Sequence, residues 1–272
     1  MSRKKKVIGH CQICGLEKPL SFEHIPPKSA FNEAPALLHL TSVEHLSSLP
    51  PGTTPYPSDP ILFKHGFGAY TLCGECNNFT GGTYAGYYVD FVKQIYNSVE
   101  SRRKEIDEKT VQLAVTIRPA RVLKQIITMF ASVYSATGKI FGRDFPELKH
   151  ILLKKDAYLL PSNHAFYAYL LAGGSARFVA SALPIFGKEP SLELLNEIKK
   201  RMAEGKTVSE FAFGFLGFVW ARGTETIQLV DQTGFLTKIN HWIKIDEKTT
   251  LTLNLPLLEA FPPHLPLQYS NK

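Results

Sequence analysis

The chain's four cysteines stand in two Cys-x-x-Cys pairs, Cys11/Cys14 and Cys73/Cys76. Two short knuckles of this kind each present two thiolates from a tight turn, and together they supply the tetrahedral set of soft ligands that a structural zinc takes. Between them lies Phe22-Glu23-His24-Ile25-Pro26-Pro27-Lys28, and the second pair runs into Asn77-Asn78. An acidic residue beside a histidine, held next to such a site, points to metal-assisted phosphodiester chemistry. That reaction needs a group that takes a proton from water and a positive centre that stabilises the developing charge on phosphate.

The elements that must position these residues are unevenly legible. Residues 7–82 are short on helical periodicity and rich in turn residues, as in a metal finger whose core is partly the ion. A long connection between Asn32 and Gly68 carries Pro35, Pro50, Pro51, Pro55, Pro57 and Pro60, with His39, His45 and His65 expected to be exposed loop histidines. After Gly81-Gly82 the spacing of Tyr84, Tyr88, Phe91, Ile95 and Val99 predicts a helix. A second helix is expected after Pro119, with Val122, Ile126, Met129, Phe130 and Val133 as its core face and Arg121 and Lys124 nearer the other. Strands are predicted at 111–117, 166–172, 227–230, 242–245 and 251–255, and a helix around Leu192–Met202. Phe211, Phe213 and Phe215 share strand parity, and the phase shift after Gly217 predicts a bulge. The expected fold class is α+β. A zinc-stapled unit over 1–105 is followed by a larger mixed α+β domain over 106–272.

At 272 residues with 44% hydrophobic and 20% charged residues, the composition is that of an ordinary folded protein. No apolar run approaches the roughly 20 residues of a membrane helix. The basic opening Ser2-Arg3-Lys4-Lys5-Lys6 leads into Cys11 without the apolar stretch of a secretory signal. Paired thiols at ligand spacing then argue for zinc thiolates in a reducing, cytoplasmic setting. The formal net charge is +7. Residues 1–100 hold 8 Lys/Arg against 8 Asp/Glu, and residues 101–272 hold 23 against 16, so the whole excess lies in the second half. An anionic partner is expected to be gripped there, with Arg118, Arg121 and Lys124 as the first candidates and Lys28 as a phosphate contact near the histidine.

The ordered set Cys11-Gln-Ile-Cys14-Gly15, Glu23-His24-Ile25-Pro26-Pro27-Lys28 and Leu72-Cys73-Gly74-Glu75-Cys76-Asn77-Asn78 resembles the HNH endonuclease family, with its ββα-metal finger beside a treble-clef-like zinc site. The resemblance covers residues 7–85. It implies hydrolysis of nucleic-acid phosphodiester bonds, DNA before RNA, with His24 as general base. One Mg2+ or Mn2+ is expected on Glu23 and the amide oxygen of Asn77, and a separate structural Zn2+ on the four cysteines. Members of the family belong to bacterial defence systems, so an antiviral role, with a protein partner or homo-oligomer, is a further implication. Two positions depart from the family pattern. Asn77 replaces the terminal histidine, and Gly68, Ala69 and Tyr70 stand where the middle asparagine is expected, the residue that holds the histidine's strand through the opposite backbone. Because strand neighbours face opposite ways, Glu23 and His24 can share a site only through local distortion. The competing class is a zinc finger that binds nucleic acid without cutting it and needs no cation beyond zinc.

Overall fold

The computed structural model describes residues 6–38, 61–102, 110–171, 177–182, 206–234 and 236–258. Most of the Pro-rich connection, with His39 and His45, the expected helix around Leu192–Met202 and the expected boundary at 105 lie outside the described residues.

Strands β1 (Ile8–His10), β2 (Glu17–His24) and β5 (Gly68–Cys73) form an antiparallel sheet in the order β1-β2-β5, and β3 (Ala36–Leu38) and β4 (Ile61–Phe63) pair as a separate ribbon. From β5 the chain enters α1 (Gly74–Thr80), then a π-helical turn over Gly81–Ala85, then α2 (Gly86–Arg102). Tyr84, Tyr88, Phe91 and Ile95 are buried, as the helical spacing predicts.

Strand β6 (Thr110–Ile117) alternates as a half-buried strand should, with Val111, Leu113, Val115 and Ile117 inward. Helix α3 (Pro119–Tyr134) opens on its proline and is buried on nearly every side. Short helices α4 (Phe141–Asp144) and α5 (Pro146–Leu153) lead to β7 (His164–Leu171), β8 (Arg177–Ala182), β9 (Val208–Phe213) and β10 (Leu216–Arg222). Helix α6 (Thr224–Thr233), β11 (Thr237–Lys238) and β12 (Thr249–Leu258) follow. The sheet runs β6-β12-β7-β10-β9-β8, with β11 also on β7. β7 is buried along its length because both faces are covered. Phe166, Ala168 and Leu170 join the main core, while Ala165, Tyr167, Tyr169 and Leu171 pack with Ile227 and Val230 of α6.

Three local expectations need correction. The phase shift at Gly217 is no bulge, because the chain reverses at Gly214 (φ 66°) and Phe213 pairs with Leu216 as a hairpin. Residues 227–230 lie in α6, which ends at Gly234 in the left-handed conformation; a short apolar run alone cannot separate a buried strand from a helix segment. Trp242 and Ile243 are buried on a 3-10 turn, Asn240–Lys244, instead of a strand.

One connected core includes Cys11, Ile13, Leu72 and Cys76 together with Phe130, Phe141, Trp220 and Leu253, and so spans residues on both sides of 105. The seam is also polar. Gln12 accepts from Phe141 N at 3.0 Å and donates to Lys139 O at 3.2 Å, and Gly142 N donates to Gln12 O at 2.7 Å.

Candidate metal centre and histidine site

The first knuckle closes through Gly15 N on Cys11 O at 2.8 Å, with Gly15 at φ 78°, a conformation that favours glycine. The second is built where β5 ends at Cys73 and α1 begins, which puts Cys76 in the first turn of a helix. All four Sγ atoms lie within 4.8 Å of one another, and Cys14 and Cys73 are 4.0 Å apart. A tetrahedron of Zn–S bonds near 2.3 Å needs sulfurs about 3.8 Å apart, so the set is compatible with a structural zinc. The thiols are free of disulfides. A hydrogen bond from Cys76 pulls the Cys11 thiol down to about 4, while that same bond pushes Cys76 up and burial raises Cys14. Thiols this close ionise together only when a cation takes up their charge, which is what Zn2+ supplies when bound. Arg143 Nη2 on Gly15 O at 2.9 Å and Lys149 Nζ on Cys14 O at 3.1 Å fix the first knuckle from outside.

The cysteine cluster lies at one end of the β2–β5 strand pair, whose far end carries Glu23 and His24. Strand β2 pairs with β5 as Leu20–Cys73 and Ser21–Leu72, slips by one residue, and continues as Phe22–Tyr70, Glu23–Ala69 and His24–Gly68. The distortion comes before the acid–histidine pair, so ordinary alternation separates their side chains. Glu23 turns inward, where its carboxylate accepts from the hydroxyls of Thr71 and Ser132, the latter on α3. Burial pushes its pKa up to about 7 against those hydrogen bonds. His24 faces the other way, half-buried, its ring edge-on to Phe22 at 5.2 Å. Its Nδ1 is buried without a protein partner among the described residues. Burial first, then Lys28 and His65, hold its pKa below the ordinary histidine value, so the ring is neutral near pH 7.

Asn77 Nδ2 donates to Ser21 Oγ at 3.0 Å, which leaves Oδ1 available to a cation. The expected shared site of Glu23 and Asn77 is therefore not assembled by these side chains, because Glu23 is engaged by Thr71 and Ser132 and Asn77 by Ser21. A cation on both would have to displace the two hydroxyls from Glu23.

Sequence reasoning missed Asn32, which is fully buried. Its Nδ2 donates to Pro26 O and Phe67 O, each at 2.7 Å, and its Oδ1 accepts from Phe67 N at 2.7 Å. With Ile25 N on Phe67 O at 3.0 Å, these bonds tie the chain just after His24 to the chain just before Gly68. This is the holding task expected of an asparagine near Cys73, performed from the other side. The available signal was that Asn32 is the one asparagine between His24 and residue 60. Gly66 belongs to the clamp, since a Cβ there would stand 2.0 Å from Asn32 O.

The expected basic patch does not form as such. Lys124 is fully buried beneath Tyr84 and Tyr158, with Nζ on the carbonyls of Lys154 and Lys155 at 2.8 Å each. Burial, and next Arg121, bring its pKa down to about 8. Arg121 forms a two-point ion pair with Asp246, and Tyr158 donates to the same carboxylate at 2.9 Å. Arg118 donates to Asp246 O at 3.0 Å and lies over Tyr87. The reason is that α3 crosses the core, so polar residues off its apolar stripe are buried as well. Lys28, by contrast, is exposed. No helix among the described residues is long and apolar enough to cross a membrane. Comparison with protein-family models, curated proteins and solved structures gives no match, so the functional reading rests on the site itself.

Proposed function

We propose that this protein is a metal-dependent endonuclease of the HNH type that hydrolyses nucleic-acid phosphodiester bonds, with DNA as the favoured substrate. The observation that carries this reading is His24: a neutral imidazole at the end of β2, beside Lys28, on a pair of strands that leads through a four-cysteine cluster into the helix bearing Asn77. In this reading His24 takes the proton from the attacking water. Asn77 Oδ1 would hold a Mg2+ or Mn2+ ion, joined by Glu23 only if its carboxylate leaves Thr71 and Ser132 and the end of β2 turns so that Glu23 and His24 share a side; when bound, the cation would neutralise charge on the phosphate. Asn32 holds the two chain segments that flank His24 and Gly68, so the base keeps its place while substrate binds.

The test is incubation of zinc-loaded wild type and His24→Ala with plasmid, linear DNA and RNA, each with Mg2+, with Mn2+ or with no added divalent cation. Wild type is expected to cut only with cation, and the variant about 10²–10⁴-fold more slowly at unchanged thermal stability. Equal rates, or nucleic-acid binding with no cutting under any of these conditions, would leave the non-catalytic zinc finger as the correct reading.

A further inference from the structure

The face of the β2–β5 strand pair that carries His24 also carries two large exposed aromatic rings. Phe22 and Tyr70 are a directly opposed cross-strand pair and are 41% and 50% exposed, although residues of this size are ordinarily covered. Their centroids are 5.4 Å apart at an interplanar angle of 70°, and Phe22 meets the His24 ring in the same edge-on manner. The three rings therefore form a row, Tyr70, Phe22, His24, along one face. Gly68, opposite His24, makes the row possible, because a Cβ there would stand 2.6 Å from the Phe22 ring. Within its sheet β5 is an edge strand, so the row lies at a border a ligand can reach. Lys28 and His65 are exposed and lie close enough to His24 to hold its pKa down.

Exposed aromatic rings bordered by Lys28 suit one ligand chemistry above others, a polyanion whose flat bases can stack. A base inside a duplex has both faces covered by its neighbours, whereas an unpaired base offers one to a protein ring. Resting on the endonuclease reading above, we propose that Phe22 and Tyr70 are positioning residues that stack an unpaired nucleobase of the substrate strand beside His24. Single-stranded or locally unpaired nucleic acid is then the preferred substrate. Stacking carries little preference among bases, so the site selects strand state in place of sequence.

The experiment measures binding of a fluorescent 20-nucleotide single strand, and of the same sequence as a duplex, to the full zinc-loaded chain without added Mg2+ or Mn2+, so that nothing is cut and the structural ion stays in place. Phe22→Ala and Tyr70→Ala are each expected to weaken single-strand binding about tenfold and duplex binding less than about twofold. Tyr70→Phe, which keeps the ring, should bind the single strand like wild type, and both alanine variants should melt like wild type because their rings are exposed. Equal losses on both substrates, no loss on either, or a Tyr70→Phe defect as large as that of Tyr70→Ala would overturn the proposal. Stacking with no cutting in metal would remove hydrolysis and leave the platform standing. His24-dependent cutting that ignores both aromatic changes would do the reverse.

Discussion

Lys28 and Lys124 are both lysines in basic or neutral stretches where a phosphate contact is expected, and the fold gives them opposite surroundings. Lys28 is exposed beside a half-buried histidine, whereas Lys124 is sealed under two tyrosines with two backbone carbonyls on its ammonium. The same contrast separates the regions around them. The first hundred residues carry no net charge, yet they set Lys28 at the surface beside His24 while Glu23 is turned into the core and the cysteines are gathered inside. The second half holds the whole excess of cations, but Arg121 is paired with Asp246 and Lys124 is interior. Net charge by segment is thus a poor guide to where a polyanion docks. What matters is which cations remain at the surface after the core has formed.

The largest test of the contrast is the metal. If the histidine region is held by an ion and the large sheet by burial, loss of zinc should still reach both, because Cys11, Cys73 and Cys76 lie in the same core as Trp220. Purified protein is expected to hold one zinc per chain by elemental analysis. Cys73→Ser, or a strong chelator, removes a contribution of about 10 kcal/mol or more, comparable with the whole stability of a domain. Far-ultraviolet circular dichroism should then show one transition shifted for the entire chain. Two separate transitions would show the regions around 1–105 and 106–272 to be independent, and a metal-free chain that melts like wild type would remove the zinc.

A smaller effect is expected within the histidine region alone. Asn32→Ala deletes three buried hydrogen bonds and leaves Pro26 O and Phe67 N to find other partners, while Phe67 O keeps its bond from Ile25 N. At roughly 1–3 kcal/mol for each buried group left unsatisfied, a loss of about 3 kcal/mol is the expected order, read as a drop in denaturant midpoint. Cutting should fall with it even where the variant is fully folded, since the segments on either side of His24 and Gly68 are no longer tied. A variant as stable and as active as wild type would mean that Asn32 holds nothing the site needs.

How much of this was legible in the sequence depends on how local the cause is. The Cys-x-x-Cys spacings announced the four-cysteine cluster, the alternation of Val111, Leu113, Val115 and Ile117 announced β6, and Pro119 announced α3, because each pattern acts within a few residues. The partners of Glu23 were not legible, since Thr71 and Ser132 lie 48 and 109 residues away; the pairing of β5 with β2 brings in the first and the packing of α3 the second. Asn32 escaped because the clamp works from the segment after the histidine, not from the strand before Cys73. Lys124 looked like a surface residue because a helical wheel gives one apolar face, and nothing local says that both sides of α3 will be covered.

The finest test returns to the two lysines. Each exposed lysine that neutralises a phosphate contributes about 0.7 to the slope of log affinity against log salt for a single strand, so Lys28→Ala should lower that slope by about this amount and weaken binding modestly at low salt. Lys124→Met should leave the slope unchanged. Its own signature lies in stability. The amine titrates near 8 in the folded chain and near about 10.4 when unfolded, so the unfolded chain holds the proton more tightly. Stability from this group therefore rises as pH goes from about 8 to about 10.4, and the methionine variant should lose that rise. Thermal melts of both proteins across this range, beside salt titrations of binding for both variants, decide the matter. A salt slope that falls for Lys124→Met and holds for Lys28→Ala would reverse the comparison and return the polyanion grip to the second half of the chain.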